Sequence, residues 1–160
     1  MRFSLPSRLM LLLSWSVALA GCVTGQIVSG PSIVVEGAWA RAADARPAGD
    51  SAPSQAQAMS AVYLTLRNEG TASDRLVAVE TDVAKAAELH QTQVVDGVAR
   101  MVPVTNGLTV EPGQRVELAP GGYHIMLMGL RRSLRPGDAF TLTLVFEQSG
   151  RLSVEVEVRQ

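Results

Sequence analysis

Apolar residues alternate with polar ones along most of this chain, and a period of two predicts β-strands. The C-terminal segment RLSVEVEVRQ (151–160) shows the pattern best, with Val154, Val156 and Val158 facing inward and charged residues between them. About eight such segments, separated by turns roughly every 8–12 residues, favour one antiparallel sandwich or barrel. The pattern therefore predicts an all-β domain.

Turn residues fix several details of this prediction. The Asp96-Gly97 pair supplies the positive φ of a two-residue type I′ turn, so QTQVVDGVARMVPV (91–104) predicts a hairpin. DVAKAAELH (82–90) predicts one helical turn before a strand, and residues 43–58, rich in Ala, Pro, Ser and Gly, predict a long surface loop. The other strands are predicted in IVVEGAWARA (33–42), MSAVYLTLRNEG (59–70), DRLVAVET (74–81), EPGQRVEL (111–118), GGYHIMLMGL (121–130) and RPGDAFTLTLVFEQSG (135–150).

The first 22 residues are typical of an export signal rather than of the domain. MRFSLPSRLMLLLSWSVALAGC has a basic start, a short apolar run and small residues before Cys22. LAGC resembles a bacterial lipobox, which implies cleavage before Cys22 and lipidation of its thiol. The alternative is an ordinary signal peptide that leaves Cys22 free. We expect a signal peptide over 1–21, a lipidated cysteine and tether over 22–32, and one domain over 33–160.

Charge and cysteine content narrow the chemistry. Removal of residues 1–21 takes away two arginines and leaves 12 basic against 15 acidic residues, a net charge of −3. This balance gives no support for nucleic-acid binding. Cys22 is the only cysteine, so a lipidated chain has no thiol for a disulfide, a nucleophile or a metal.

The segment GGYHIMLMGL places His124, Met126 and Met128 at every second position, so all three side chains should share one strand face. His124 and Met126 are then about 6.6 Å apart along the strand, which one ion can bridge. Met128 is about 13 Å from His124 and is assigned to packing.

The other histidine lies in the predicted hairpin. With Asp96-Gly97 as the turn, Met101 lies opposite Thr92, and His90 is two residues from Thr92 on the same face. His90 and Met101 are therefore diagonal neighbours, with Cβ atoms roughly 7 Å apart. Each histidine of the chain thus has a methionine within reach.

Two imidazoles and two thioethers suit Cu(I), since neutral, soft thioether sulfur is a poor ligand for Zn²⁺, Mg²⁺ or Ca²⁺. Other metal-binding motifs, such as HExxH or CxxC, do not occur. Packing of each His–Met pair in a sheet remains an alternative interpretation. The metal hypothesis requires two neighbouring β-segments that aim these donors at one pocket.

These residues resemble the PCuAC family of periplasmic copper chaperones, whose signature is His-x10-Met-x21-His-x-Met. His90, Met101, His124 and Met126 follow that order, with 22 residues in the middle gap. AWARA, AVYLTLRNEG, DGVARMVPV and GDAFTLTLVFEQSG extend the likeness over about residues 33–158.

The resemblance implies a cupredoxin-like antiparallel Greek-key sandwich that binds one Cu(I) per chain through His90, Met101, His124 and Met126. It also implies a non-enzymatic carrier that supplies copper to cytochrome c oxidase, with an oxidase subunit or a Sco-like thiol protein as partner. The chain would be anchored by Cys22 on the periplasmic face of a membrane, and Val23 favours the outer membrane under enteric sorting rules. Copper sequestration, a redox-active copper enzyme and a metal-free structural lipoprotein are the alternatives.

Overall fold

The computed structural model describes residues 29–45 and 58–160, and this part of the chain consists of strands and turns without a helix. The signal peptide, the lipobox with Cys22, residues 22–28 of the tether and residues 46–57 of the predicted loop lie outside it. Accordingly, no transmembrane helix is found among the described residues. The ten strands are β1 (Ile33–Arg41), β2 (Met59–Asn68), β3 (Asp74–Thr81), β4 (Ala84–Val95), β5 (Val98–Pro103), β6 (Leu108–Val110), β7 (Arg115–Leu118), β8 (Tyr123–Leu130), β9 (Ala139–Phe146) and β10 (Gly150–Arg159).

The strands form one sheet in the order β5-β4-β8-β7-β2-β1-β10-β9-β3-β6, with β8 also paired to β2. The sheet folds over itself, so β3 contacts β4 without pairing with it. Leucine and valine side chains fill the space between the two layers, as the alternating pattern predicts. The all-β prediction is confirmed, although the pairing is not wholly antiparallel, because β1 runs parallel to β10.

The predicted hairpin is confirmed in turn type and in register. Asp96 has φ 52° and Gly97 has φ 76°, the two positive values that a type I′ turn needs. Thr92 pairs with Met101 across β4 and β5, as the turn position predicts. This register fixes which residues of β5 share a face with His90.

Two local predictions were wrong. Residues 82–83 form a bend rather than a helical turn, because Val83 is buried and its carbonyl accepts a hydrogen bond from Arg131 N at 2.8 Å, just past β8. Strand β6 was missed, since three residues are too few to show a period. Leu108 and Val110 are nevertheless buried in the core.

Asn68, at the end of β2, is a fully buried polar residue that joins the segment before β1, the β2–β3 turn and the end of β6. Its Nδ2 donates to the carbonyls of Ala72 at 2.7 Å and Val110 at 3.0 Å. Its Oδ1 accepts from the backbone N–H of Ser32 at 3.1 Å and of Gly70 at 3.0 Å. The amide therefore uses both its donor and its acceptor groups.

Asp74, at the start of β3, has the same role for the β9–β10 turn and is 2 % exposed. Its carboxylate accepts the backbone N–H groups of Arg75 at 2.7 Å, Gln148 at 3.0 Å and Ser149 at 2.8 Å. Burial raises the pKa of Asp74, but hydrogen bonds to the carboxylate, led by that of the Ser149 side chain, outweigh it and hold the pKa below its ordinary value of 3.8.

Candidate metal centre

Strands β4 and β8 bring the two histidines together, since His90 and His124 are direct cross-strand partners. Their ring centroids lie 6.0 Å apart with an angle of 49° between the planes. The next pair along, Leu89 and Ile125, is buried in the core. Because side chains alternate between faces, both imidazoles project from the outer face of the sheet.

His124 is 3 % exposed and has one hydrogen bond. Its Nδ1 lies 3.1 Å from the carbonyl oxygen of Gly122. Nδ1 is then the protonated donor, which leaves a lone pair on Nε2. Nε2 is buried and has no hydrogen-bond partner, as expected for a ligand nitrogen held in one tautomer by a backbone carbonyl.

His90 shows the same division of roles with the nitrogens exchanged. Its Nε2 lies 3.2 Å from the carboxylate of Glu88, two residues earlier on the same face. Its Nδ1 is buried without a hydrogen-bond partner. A carboxylate that accepts from one ring nitrogen and leaves the other open is the usual outer-shell arrangement of a metal-bound histidine.

The two methionines lie on the same outer face. Met126 is two residues beyond His124 and is the cross-strand partner of Glu88. Met101 lies opposite Thr92 on β5, diagonal to His90, and is 59 % exposed. The structure thus brings all four predicted residues to one side of the β5-β4-β8 layer; their role as copper ligands stays a prediction.

The donor set fits a soft, monovalent ion. Two imidazoles that share a metal at about 2 Å from each nitrogen have centroids on the order of 6 Å apart, as the histidine rings do. The thioethers beside them favour Cu(I) over harder ions. Within residues 29–45 and 58–160, no three His, Cys, Asp or Glu side chains gather as a metal-binding group.

Glu88 is the site residue that the sequence analysis missed. Its spacing of two from His90 on a strand was the available signal, because residues i and i+2 share a face. The side chain is 51 % exposed, so it borders the imidazole pair from the solvent side.

Two solved structures that share this fold are PCuAC domains. The apo PCuAC domain from PmoF1 is 26% identical, with a TM-score of 0.59 over 79% of this chain and 92% of that chain. The copper-bound PCuAC domain from PmoF2 is 24% identical, with a TM-score of 0.58 over the same shares, and shows the fold alone. The predicted cupredoxin-like Greek-key sandwich is confirmed, and the fold is that of a domain of the PCuAC type.

A family model described as "Putative lipoprotein LpqE-like" matches residues 33–158, so the chain belongs to the LpqE-like family. "Putative lipoprotein Lxx21020" of Leifsonia xyli subsp. xyli is 33% identical over 101 residues. That match covers 63% of this chain and 61% of the relative, so the chain spans about three fifths of the relative's length.

Proposed function

We propose that this protein is an extracytoplasmic copper chaperone that binds one Cu(I) per chain through His90, Met101, His124 and Met126 and carries it to a partner. One observation carries the proposal. Two cross-strand imidazoles each keep one buried nitrogen without a hydrogen-bond partner and direct the other at a fixed acceptor. A buried polar atom without a partner costs about 1–3 kcal/mol, which a bound ion would offset.

The donor set supports copper as the ion, because thioethers beside imidazoles favour Cu(I) over harder ions. Neutral ligands leave Cu(I) with its single positive charge, and half-exposed Met101 gives a partner access to the ion. These properties suit a carrier rather than an enzyme.

The membrane anchor and the recipient are further parts of the proposal. The word "lipoprotein" occurs in both the family description and the relative's name, and it supports anchoring through a lipid on Cys22. The intact mass of the protein extracted from membranes tests whether Cys22 carries this lipid. The PCuAC resemblance supports delivery to a cytochrome c oxidase subunit or a Sco-like thiol protein. Copper transfer to each purified acceptor tests that step. The outer-membrane assignment stays a prediction from Val23.

Titration of the purified protein with Cu(I), in competition with a Cu(I)-selective chelator under reducing conditions, tests the proposal. We expect one Cu(I) per chain and a rise in Tm, because the ion binds the folded state. Loss of a residue that only orients a metal ligand weakens binding by up to about 100-fold. His124→Ala removes a ligand itself, so it should weaken Cu(I) binding by about 100-fold or more. Met101→Leu and Met126→Leu should each weaken it by about tenfold.

Two controls make the titration decisive. Gln93→Ala alters the opposite face of β4 and should leave the affinity unchanged. Copper-free His124→Ala should stay folded and lose about 1–2 kcal/mol in the free energy of unfolding, because removal of the unpartnered Nε2 partly offsets the lost packing and the lost hydrogen bond. Equal Cu(I) affinity in the original protein and in His124→Ala would contradict the proposal.

A further inference from the structure

Two further methionines lie on the outer face of the sheet, next to the four site residues. Met59, at the start of β2, is the direct cross-strand partner of Met128 on β8. Met59 is 51 % exposed and Met128 is half-buried. Residues directly opposite each other have Cβ atoms about 4.5–5.5 Å apart, so the two thioethers can meet.

Met126 brings this pair into contact range of the imidazole site. Met126 and Met128 are two residues apart on β8 and share the outer face, about 6.6–6.8 Å apart. Alanines flank both, because Ala61 pairs with Met126 on one side and Ala86 pairs with Met128 on the other. Small neighbours leave the flexible, unbranched methionine side chains free to turn toward one another.

Core packing does not account for this arrangement. On the opposite face of the same two strands, Val62, Ile125 and Leu127 fill the core. Met59 keeps half of its surface in water. Three thioethers within reach of one point form a neutral, soft donor set that favours Cu(I) or Ag(I).

We propose that Met59, Met126 and Met128, the thioether cluster, form a second position for Cu(I) next to the imidazole site. Met126 belongs to both positions, so the ion can pass between them by ligand exchange. Bonds to the two imidazoles and Met101 break while bonds to Met59 and Met128 form, and copper stays Cu(I) with no electron transferred. The passage step rests on the proposed function; the cluster itself does not.

Ag(I), a soft ion that does not change oxidation state under these conditions, tests the cluster in a His90→Ala/His124→Ala background. The purified protein is titrated in chloride-free buffer while the methionine ε-methyl groups are followed by NMR. We expect one Ag(I) per chain and joint shifts of the Met59, Met126 and Met128 methyl signals. Adding Met59→Leu with Met128→Leu should weaken Ag(I) binding at least about tenfold, as for loss of metal-site partners.

Met101→Leu in the same background is the matched control, because it removes a thioether of the outer face that lies outside the cluster. It should leave Ag(I) binding unchanged. Ag(I) binding that is equally tight without Met59 and Met128, or no methyl shifts at all, would overturn the inference. Because the background lacks both histidines, a negative Ag(I) result would not contradict Cu(I) binding at the imidazole site. Likewise, a negative Cu(I) titration of the imidazole site would not contradict Ag(I) binding by the thioether cluster.

Discussion

Asn68 and His124 are both buried polar side chains on strands, yet their environments differ in one respect. Asn68 makes four hydrogen bonds and uses both ends of its amide. His124 makes one and leaves Nε2 bare, and His90 leaves Nδ1 bare. A satisfied buried group holds turns together, whereas an unsatisfied one keeps a lone pair available for a ligand. The comparison separates structural from ligand-binding polar residues.

Asn68→Ala should produce the largest effect on folding. It leaves two backbone N–H groups and two carbonyls without partners, so we expect a loss of about 3 kcal/mol in the free energy of unfolding. Urea unfolding of the copper-free protein measures it. Asn106→Ala, at an exposed turn, should change stability by less than about 0.5 kcal/mol. Equal stability of the two variants would contradict the structural role assigned to the hydrogen bonds of Asn68.

Asp74→Asn should cost about 2 kcal/mol at pH 7, because hydrogen bonds to a charged acceptor are lost. The folded-state pKa of Asp74 lies below 3.8, so its stabilisation is present above that value and is lost as pH falls through the folded-state pKa. Urea unfolding at about pH 7, 5 and 3 should therefore show a constant difference at the upper two values and a smaller one at the lowest.

The exposed acid Glu117 on β7 provides the control for this series. Glu117→Gln should stay within about 0.5 kcal/mol of the original protein at pH 7. A difference between Asp74→Asn and the original protein that grows toward pH 3 would contradict the assignment.

Glu88→Ala tests the ligand-binding residues of this comparison and should give the smallest of the predicted effects. Without its carboxylate, the His90 ring loses the acceptor that fixes its tautomer, so Cu(I) affinity should fall by about tenfold. Glu88→Gln keeps an acceptor oxygen and should lose less. Competition titration measures both, and an unchanged affinity in Glu88→Ala would show that the contact does not orient His90.

The parts of the site that could be predicted are those set by local geometry. The Asp96-Gly97 turn fixes the register between Thr92 and Met101, and the period of two places Met126 beside His124. The direct pairing of His90 with His124 could not be derived in the same way. Strands β4 and β8 are separated in sequence by three others, so no turn sets their register.

The fold shows the same division. Long alternating segments predicted most strands, and the tertiary contacts supplied the rest. The bend at 82–83 depends on a hydrogen bond from Arg131, which is distant in sequence. The partner of Met128 on β2 is Met59, a residue that the spacing within β8 could not indicate.

Strand β5 lies at the end of the sheet order and is exposed along its whole length. Three of the proposed copper ligands belong to the inner strands β4 and β8, whereas Met101 alone belongs to this outermost strand. Edge elements with few buried contacts open at lower free energy than the rest of a domain. We therefore expect β5 to open before β4 and β8, so that an acceptor contacts the ion after Met101 moves away and before either imidazole is displaced.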